Sequence, residues 1–596
     1  MILQSLVQYY EALADKGKIT RPGWCDAKVS YALDISKDGQ LLGATYLKWA
    51  DDIGKKTVWR PQELKVPQML SRSSGIAPNF LCDNSTYMLG IDKKGKPDRS
   101  KECFENAQQK HKEILDGVSV KEAYAILSFF DKWEPEDAEE HPALKDILDD
   151  ILAGANIIFS VDGKYAQEIP EIVAAWEAYN QQPGDGKQGI CLVTGERAEI
   201  ARTHGTFQGV QGAQSSGAAL VSFNALAFES YGKEQSYNAP VGSYAVYAYT
   251  TGLSKLLADR KHVTTIGDTT VVYWAEDGEE IYQNVFAAVS EPMTDNLDIV
   301  DAVFKNLKGG KAISGDTVLA DLNLNQRFYI LGLAPNAARI AVRFFYQDSF
   351  GSILANMKAH YDRLSIVKPS MDRIDYLGTW RLLQETVNKK SRDKKAIPNM
   401  AGALYRAVIS GSRYPDALYH AVLGRIRAEQ DSNDTFKITR GRAAIIKAYL
   451  LKNKNMEKEE ITVALNENSN NIAYILGREF AVLEMIQEDA NPGINTTIKD
   501  RYFNSACATP ATIFPILFKL KNSHIRKINR EGTKIYYEKL LGELQDKLTI
   551  REGQEIFCPK RLSLEEQGMF ILGYYHQTQK RFEKKTKEDS DNGGGN

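Results

Sequence analysis

At 596 residues, 43% of them hydrophobic and 26% charged, the chain has the length of about two to four globular domains and ample material for buried cores. A formal net charge of −2 excludes a uniformly basic nucleic-acid glue, so any nucleic-acid contact must come from local patches. The six cysteines (Cys25, Cys82, Cys103, Cys191, Cys507 and Cys558) include no C-x-x-C pair, which argues against a zinc ribbon or a disulfide framework and suits a reducing cytoplasm.

The N-terminus, MILQSLVQYYEALADKGK, has no basic segment followed by an apolar one, and no apolar run approaches the ~18 residues of a membrane span. A soluble cytoplasmic protein with no membrane partner is expected. Leu3, Leu6, Val7, Tyr10 and Leu13 recur at helical spacing before Gly17, which predicts a first helix. Residues 27–70 alternate in short runs such as VSYALDIS and read as strand. Residues 101–180 read as a helical insertion, with an acidic stretch from Glu134 to Asp150 that reads as a solvated face or loop. Strands return over 187–350: TTVVYWA (269–275) follows a Gly267-Asp268 turn, and RFYILGLAPNAARIAVRFFYQ (327–347) reads as two strands around a Pro335-Asn336 turn.

From about residue 352 the pattern becomes helical. LYRAVISG, LYHAVLGRIRAE, GRAAIIKAYLLKNK and the series Ile472, Ile475, Leu476, Phe480, Leu483, Ile486 all carry the 3.6 period. The tail KKTKEDSDNGGGN (584–596) is polar and glycine-rich, and disorder is expected there. The predicted fold class is α+β: a mixed α/β N-terminal region with β-hairpins over 1–351, then a helical-bundle C-terminal domain over 352–596.

Charge is uneven along the chain. Between Asp372 and Asn455, 17 Lys and Arg stand against 8 Asp and Glu, a local net of +9. A second cluster, Lys519, Lys521, Arg526, Lys527, Arg530 and Lys534, meets one acid, Glu531. Each cluster reads either as a solvated helix face or as a nucleic-acid path. Arg425, Arg427, Arg440 and Arg442 in the first, and Lys519, Lys521, Arg526, Lys527 and Arg530 in the second, are the candidates for a DNA-strand path.

Motifs of catalysis are missing. GIDKKGKP (90–97) has P-loop spacing but places Pro97 where a Mg²⁺-binding hydroxyl is needed, so a turn is the better reading. GAQSSG (212–217) is not a G-x-S-x-G elbow, the eight histidines are isolated, and no local spacing singles out a carboxylate pair. No catalytic residue, metal ligand or cofactor is assigned. An enzyme, either a nuclease or a nucleotide-dependent nucleic-acid remodeller, would need a site assembled from distant residues.

The most unusual stretch is GVQGAQSSGAALVSFNALAFESYGKEQSYNAPVG (209–242). It holds one lysine and two glutamates, with no arginine, histidine or cysteine. Glycines allow close approach to a polymer backbone, and amides and hydroxyls supply neutral contacts. Together with MILQSLVQYYEAL, SGIAPNFLCDNSTYMLG (74–90), CLVTGERAEIARTH (191–204), NAPVGSYAVYAY, IGDTTVVYWAED (266–277), YILGLAPNAARIAVRFFYQ and YILGREFAVLEMIQE (474–488), it resembles the large subunit of the type I-C CRISPR Cascade effector complex over essentially the whole chain.

The resemblance implies a non-catalytic subunit. A guide RNA reads the target strand, while the large subunit recognises a short protospacer-adjacent motif (PAM) in double-stranded DNA. It then promotes R-loop formation, supports the displaced strand and recruits a helicase-nuclease. Partners implied are the Cascade backbone, guide-handle-binding and small subunits. The small subunit is implied to be a second product of the same gene, starting near Met456 or Met485. On this reading Gln211, Gln214, Ser215 and Ser216 contact the PAM, and Lys233 is the phosphate partner. The other reading is that these groups connect strands around a core of Leu220, Val221, Phe223 and Phe228. Asn79 and Asn84 form a second candidate base-reading pair, or else an Asx-turn at a strand entrance.

Overall fold

The structure, a computed structural model, describes residues 1–53, 56–70, 72, 75–93, 97–180, 186–293, 296–309, 322–393, 395–397, 399–432, 436–548 and 558–582. The tail expected to be disordered, and residues 94–96 of GIDKKGKP, lie outside the described residues. The chain forms two compact units. The first is built mainly from Leu3–His204 and Phe223–Gly252, the second from Gly205–Ser222 and Leu253 onward.

The first unit begins with the predicted helix, Ile2–Asp15. It buries Leu6, Tyr10 and Leu13 and ends before Gly17, whose φ of +66° suits glycine. Its main sheet contains β1 (Trp24–Ile35), β2 (Leu41–Tyr46), β3 (Lys48–Ile53), β4 (Lys56–Pro67), β5 (Cys82–Asp83), β6 (Asn156–Val161) and β7 (Lys164–Tyr165). The order is β3-β4-β1-β6-β5, with β2 also on β1 and β7 on β6. β1 pairs antiparallel with β4 over Trp24–Val29, antiparallel with β2 over Tyr31–Ile35, and parallel with β6.

Strand β6 corrects the helical insertion expected over 101–180. Helices Pro97–Leu115, Lys121–Lys132 and Leu148–Leu152 precede it and helix Pro170–Asn180 follows. NIIFSV is buried from Ile157 to Val161 and sits beside the central strand. Five consecutive buried residues, four of them apolar, face the interior on both sides and leave no alternation to distinguish the run from a helical segment. The acidic stretch Glu134–Asp150 is mainly turn, with Asp150 paired to Lys48 and Tyr31. A separate hairpin follows, β8 (Gln188–Ile190) with β9 (Arg197–Glu199).

The second unit holds the sheet β10-β11-β15-β14-β13-β12. Its strands are β10 (Thr206–Phe207), β11 (Ala218–Ala219), β12 (Val263–Ile266), β13 (Thr269–Ala275), β14 (Arg327–Asn336) and β15 (Arg339–Ser349). TTVVYWA is strand β13, buried throughout, after a turn at Gly267 with φ +65°. The hairpin turn between β14 and β15 lies two residues beyond the expected Pro335-Asn336. Asn336 pairs with Arg339, and Ala337 (φ +53°) makes the reversal with Ala338. Pro335 sits past the last β13 partner, Leu333, where a strand paired on one side tolerates a residue without an N–H.

The expected boundary at 351/352 does not separate the two units. β15 runs directly into helix Phe350–Leu364, whose first turn is capped by Ser349 Oγ accepting from the Ser352 N–H at 3.2 Å. Phe328, Ile330 and Phe344 of the sheet share one core with Phe350, Leu354 and Tyr405 of the helices. The predicted helical segments appear as Met400–Ser410, Asp416–Ala428, Arg440–Asn453 and Ile472–Ala490. Helix Ile472–Ala490 is buried from Ala473 to Ile486 and lies against helix Leu564–Lys580. The approach is set by glycines: a Cβ on Gly477 would stand 2.0 Å from the Phe570 carbonyl oxygen, and one on Gly573 2.0 Å from that of Tyr474. Among the described residues no helix is long and apolar enough to cross a membrane.

Candidate nucleic-acid interface

In the second unit, β10 and β11 pair antiparallel and bracket the loop 208–217. The loop is tied to the sheet by buried Val210 and by the Gln211 N–H, which donates to Thr270 Oγ1 at 2.9 Å. Gly209 and Gly217 have φ of +92° and +100°. A Cβ at Gly217 would lie 2.7 Å from Thr206 Oγ1, and one at Gly209 would lie 3.1 Å from the Leu257 carbonyl oxygen. Glycine is therefore required twice, once for backbone conformation and once for space. With its backbone anchored, the loop exposes Gln211, Gln214, Ser215 and Ser216, whose side chains make no hydrogen bond among the described residues. Four adjacent neutral polar residues on a braced loop can donate to and accept from base edges, sugar and phosphate.

The rest of the unusual stretch, 223–242, belongs to the first unit. Ser230 to Lys233 form a tight turn with Tyr231 at φ +54° and Gly232 at +67°. Asn238 holds it: its Oδ1 accepts from the Ser230 N–H at 2.8 Å, and its Nδ2 donates to the Lys233 carbonyl at 2.6 Å. Tyr231 is 99% exposed and Leu226 86%, with Lys233 exposed beside them. The alternative core of Leu220, Val221, Phe223 and Phe228 does not form. The first three are half-buried and Phe228 is 45% exposed.

Asn79 and Asn84 surround a buried carboxylate instead of facing outward together. Asp83 accepts from the Asn79 and Asn84 N–H groups, each at 2.9 Å, and is gripped by both Arg72 terminal nitrogens. Asn79 is 2% exposed and its Oδ1 accepts from the Leu70 N–H at 2.9 Å. Base readout by its side chain is corrected by this burial. Asn84 caps the short helix Ser85–Met88 through Thr86 N–H, an Asx-type contact. The adjacent Leu81, at φ +59°, donates its N–H to His111 Nε2 at 2.9 Å. Burial pushes the His111 pKa down to about 4, so the neutral ring accepts there while Nδ1 faces the Ala107 carbonyl at 2.7 Å.

Several cations of the first basic cluster are internal. Arg442 is 1% exposed. It donates to the carbonyls of Phe436, Lys437 and Glu385 and pairs with Glu429 at 2.6 Å. Arg440 pairs with Asp372 at 2.9 Å and donates to the Ile374 and Asp375 carbonyls. A phosphate contact needs a cation that reaches solvent, so these two are corrected from strand path to scaffold. Lys437 and Lys447 are also buried, each donating to carbonyls at or beyond a helix C-terminus: Ile426 for Lys437, Arg363 and Ser365 for Lys447. Desolvation lowers the Lys447 pKa to about 8. Arg427 is exposed but donates to Gln567 Oε1 at 2.7 Å, and Arg425 lies 3.6 Å from Glu429.

Two cations missed in the sequence, Lys389 and Lys390, are exposed and line a cavity of about 190 Å³ with Arg425 and Glu429. Their signal was the run NKKSRDKK (388–395). The second cluster is the more open one. It runs from helix Pro510–Ile525 into helix Glu531–Lys547. Lys519, Arg526, Lys527 and Arg530 are exposed and carry no ion pair among the described residues. Lys521 is taken by Glu538 at 2.9 Å and Lys534 by Glu531 at 2.9 Å. Tyr536, 58% exposed, and Ile535, 62% exposed, add flat apolar surface on the second helix. Cations interleaved with an aromatic suit a nucleic-acid strand.

The chain matches no curated protein. It matches the family model of CRISPR-associated protein (Cas_Csd1) from residue 6 to residue 582, a span that includes the braced 208–217 loop and both basic helices. A match over nearly the whole length shows that the chain belongs to the CRISPR-associated protein (Cas_Csd1) family.

Proposed function

We propose that the chain is the large, non-catalytic subunit of a type I-C RNA-guided Cascade complex, in which it reads the PAM of target double-stranded DNA and promotes R-loop formation. The observation that carries this reading is the loop 208–217: a glycine-hinged, sheet-anchored segment that offers only neutral donors and acceptors to solvent. Neutral amides suit a groove edge, where a short motif is read, while the paired guide reads the remaining sequence. The exposed Lys519, Arg526, Lys527 and Arg530 supply a sequence-independent path for the displaced strand. Guide RNA, the backbone, guide-handle-binding and small subunits, and a helicase-nuclease complete the set of partners. The small subunit is an internal product of the same gene. A start at Met456 keeps helix Ile472–Ala490 whole, whereas a start at Met485 discards most of it.

The test is duplex binding by the assembled complex carrying Gln211→Ala or Gln214→Ala. Discrimination between preferred and altered motifs should fall by about 1–3 kcal/mol, the usual value of a base contact. Equal loss on every sequence identifies phosphate contacts instead. Unchanged binding with both variants overturns the assignment of the loop.

A further inference from the structure

A cavity of about 470 Å³ in the second unit shares no residue with the loop 208–217 or with the basic helices Pro510–Ile525 and Glu531–Lys547. Its size falls in the ~300–1,000 Å³ range of small-ligand sites. Glu291, Pro292, Met293 and Leu297 line it together with Arg373 to Tyr376, Gly378, Trp380 and Arg381. Each wall is held from behind. Tyr376 Oη donates to Asp301 Oδ1 at 2.6 Å, and buried Arg440 grips the carbonyls of Ile374 and Asp375. Gly378 has no side chain because a Cβ there would stand 2.2 Å from Glu291 Oε2. That space lets the Glu291 carboxylate accept from the Trp380 N–H at 3.3 Å and fix the start of the short helix Thr379–Gln384. The same helix buries Thr379, Leu382 and Leu383, so the position of Trp380 is set by its neighbours.

The exposed groups of this built cavity are selective in kind. Both acids on the wall have protein partners: Asp375 pairs with Lys368 at 2.5 Å, and Glu291 is held by the helix start. The two arginines, Arg373 and Arg381, are exposed and carry no ion pair among the described residues. Trp380 is 56% exposed, although a large indole on a packed helix gains by burial. An open indole in a cavity that also holds two exposed guanidiniums without an ion pair among the described residues matches one chemistry well: a nucleobase stacked on the ring, with its flanking phosphates held by the cations.

We propose that this cavity binds one unpaired nucleotide of a single strand, its base stacked on Trp380 and its flanking phosphates on Arg373 and Arg381. The proposal rests on the nucleic-acid-binding reading above but concerns a different surface. It also gives Arg440 a function in place of the one it lost, as the brace of the pocket wall.

The probe is a fluorescein-labelled 12-nucleotide oligothymidine, titrated into the assembled complex beside a duplex carrying the preferred motif. Trp380→Ala should weaken oligothymidine binding by about 10-fold or more, and Trp380→Phe should retain most of the affinity. Arg373→Ala and Arg381→Ala should each reduce the slope of log K against log salt by about 0.7. Motif preference on the duplex should not change in any of these. In the unaltered protein, oligothymidine should slow hydrogen exchange of the segment 373–381, a readout that no folding defect can imitate. Wild-type binding of both probes with no effect of Trp380→Ala and no protection of 373–381 overturns the pocket and leaves the proposed function standing. Failure of the wild-type complex to bind either probe overturns both.

Discussion

The contact between helices Ile472–Ala490 and Leu564–Lys580 gives a sharp test of how this C-terminal bundle is held together. Gly477→Ala would place a methyl group 2.0 Å from a backbone oxygen, that of Phe570, which cannot rotate away. The two helices must separate, loosening a seam that also holds Tyr474 Oη on His576 Nδ1 at 2.8 Å, Arg478 on Gln577 at 3.0 Å and Tyr574 Oη on Glu484 at 2.6 Å. Overpacking costs about 1–3 kcal/mol, more against a rigid backbone, and the gain in helix propensity returns about 1 kcal/mol. Because the clash is with a rigid backbone, a net loss of about 2 kcal/mol is expected, the upper end of that difference, or roughly 30-fold faster hydrogen exchange in peptides from these two helices. Gly573→Ala should behave alike, since its methyl meets the Tyr474 oxygen at 2.0 Å. The double variant should cost less than the sum, because one separation relieves both clashes. The control is Gly424→Ala, on helix Asp416–Ala428 with nothing within 4 Å, which should stabilise by up to about 1 kcal/mol. If Gly477→Ala exchanges as slowly as Gly424→Ala, the close approach of the helices is not what the glycines serve.

Three further outcomes follow from the same physical reasoning. Arg442→Ala should destabilise the protein by about 3–5 kcal/mol in thermal or urea unfolding, because it removes the buried cation that Glu385 and Glu429 share, leaving Glu429 only the more distant Arg425, and strips the Phe436 and Lys437 carbonyls of their donor; the salt slope of DNA binding should stay as it was. The combined Lys519→Ala, Arg526→Ala, Lys527→Ala and Arg530→Ala variant should do the reverse: unchanged unfolding, and a shallower salt dependence by about 0.7 for each single-strand phosphate lost. Glu479 is 1% exposed with neither carboxylate oxygen hydrogen-bonded among the described residues, and burial pushes its pKa from 4.5 up to about 8. Its folded pKa is the raised one, so stability is full below pH 4.5 and declines as pH rises to about 8. Glu479→Gln should therefore raise the melting temperature little at pH 5 and progressively more towards pH 8–9; a pH-independent effect would refute the buried acid.

What the sequence determined by itself was whatever depends on local pattern. The 3.6 period of the helices after residue 400, the β-branched run of β13 and the glycine-rich, charge-poor composition of 209–242 are all properties of neighbours along the chain. So is the reading that this stretch stays polar and open, at least for Gln211, Gln214, Ser215 and Ser216. What only the tertiary structure decided was the fate of groups whose environment comes from distant segments. NIIFSV became a strand because β1 lay open beside it as a parallel partner, and no local signal records an available edge. Asn79 turned inward because Asp83, Arg72 and Leu70 converge on it. The +9 between Asp372 and Asn455 overstated the basic surface for the same reason. Charge summed along a helix says nothing about which cations the fold desolvates, and Lys437, Arg440, Arg442 and Lys447 were drawn in by carbonyls and carboxylates from other segments. Trp380, which no local pattern of the sequence singles out, stands open in a cavity where Glu291, nearly ninety residues earlier, holds the turn that carries it.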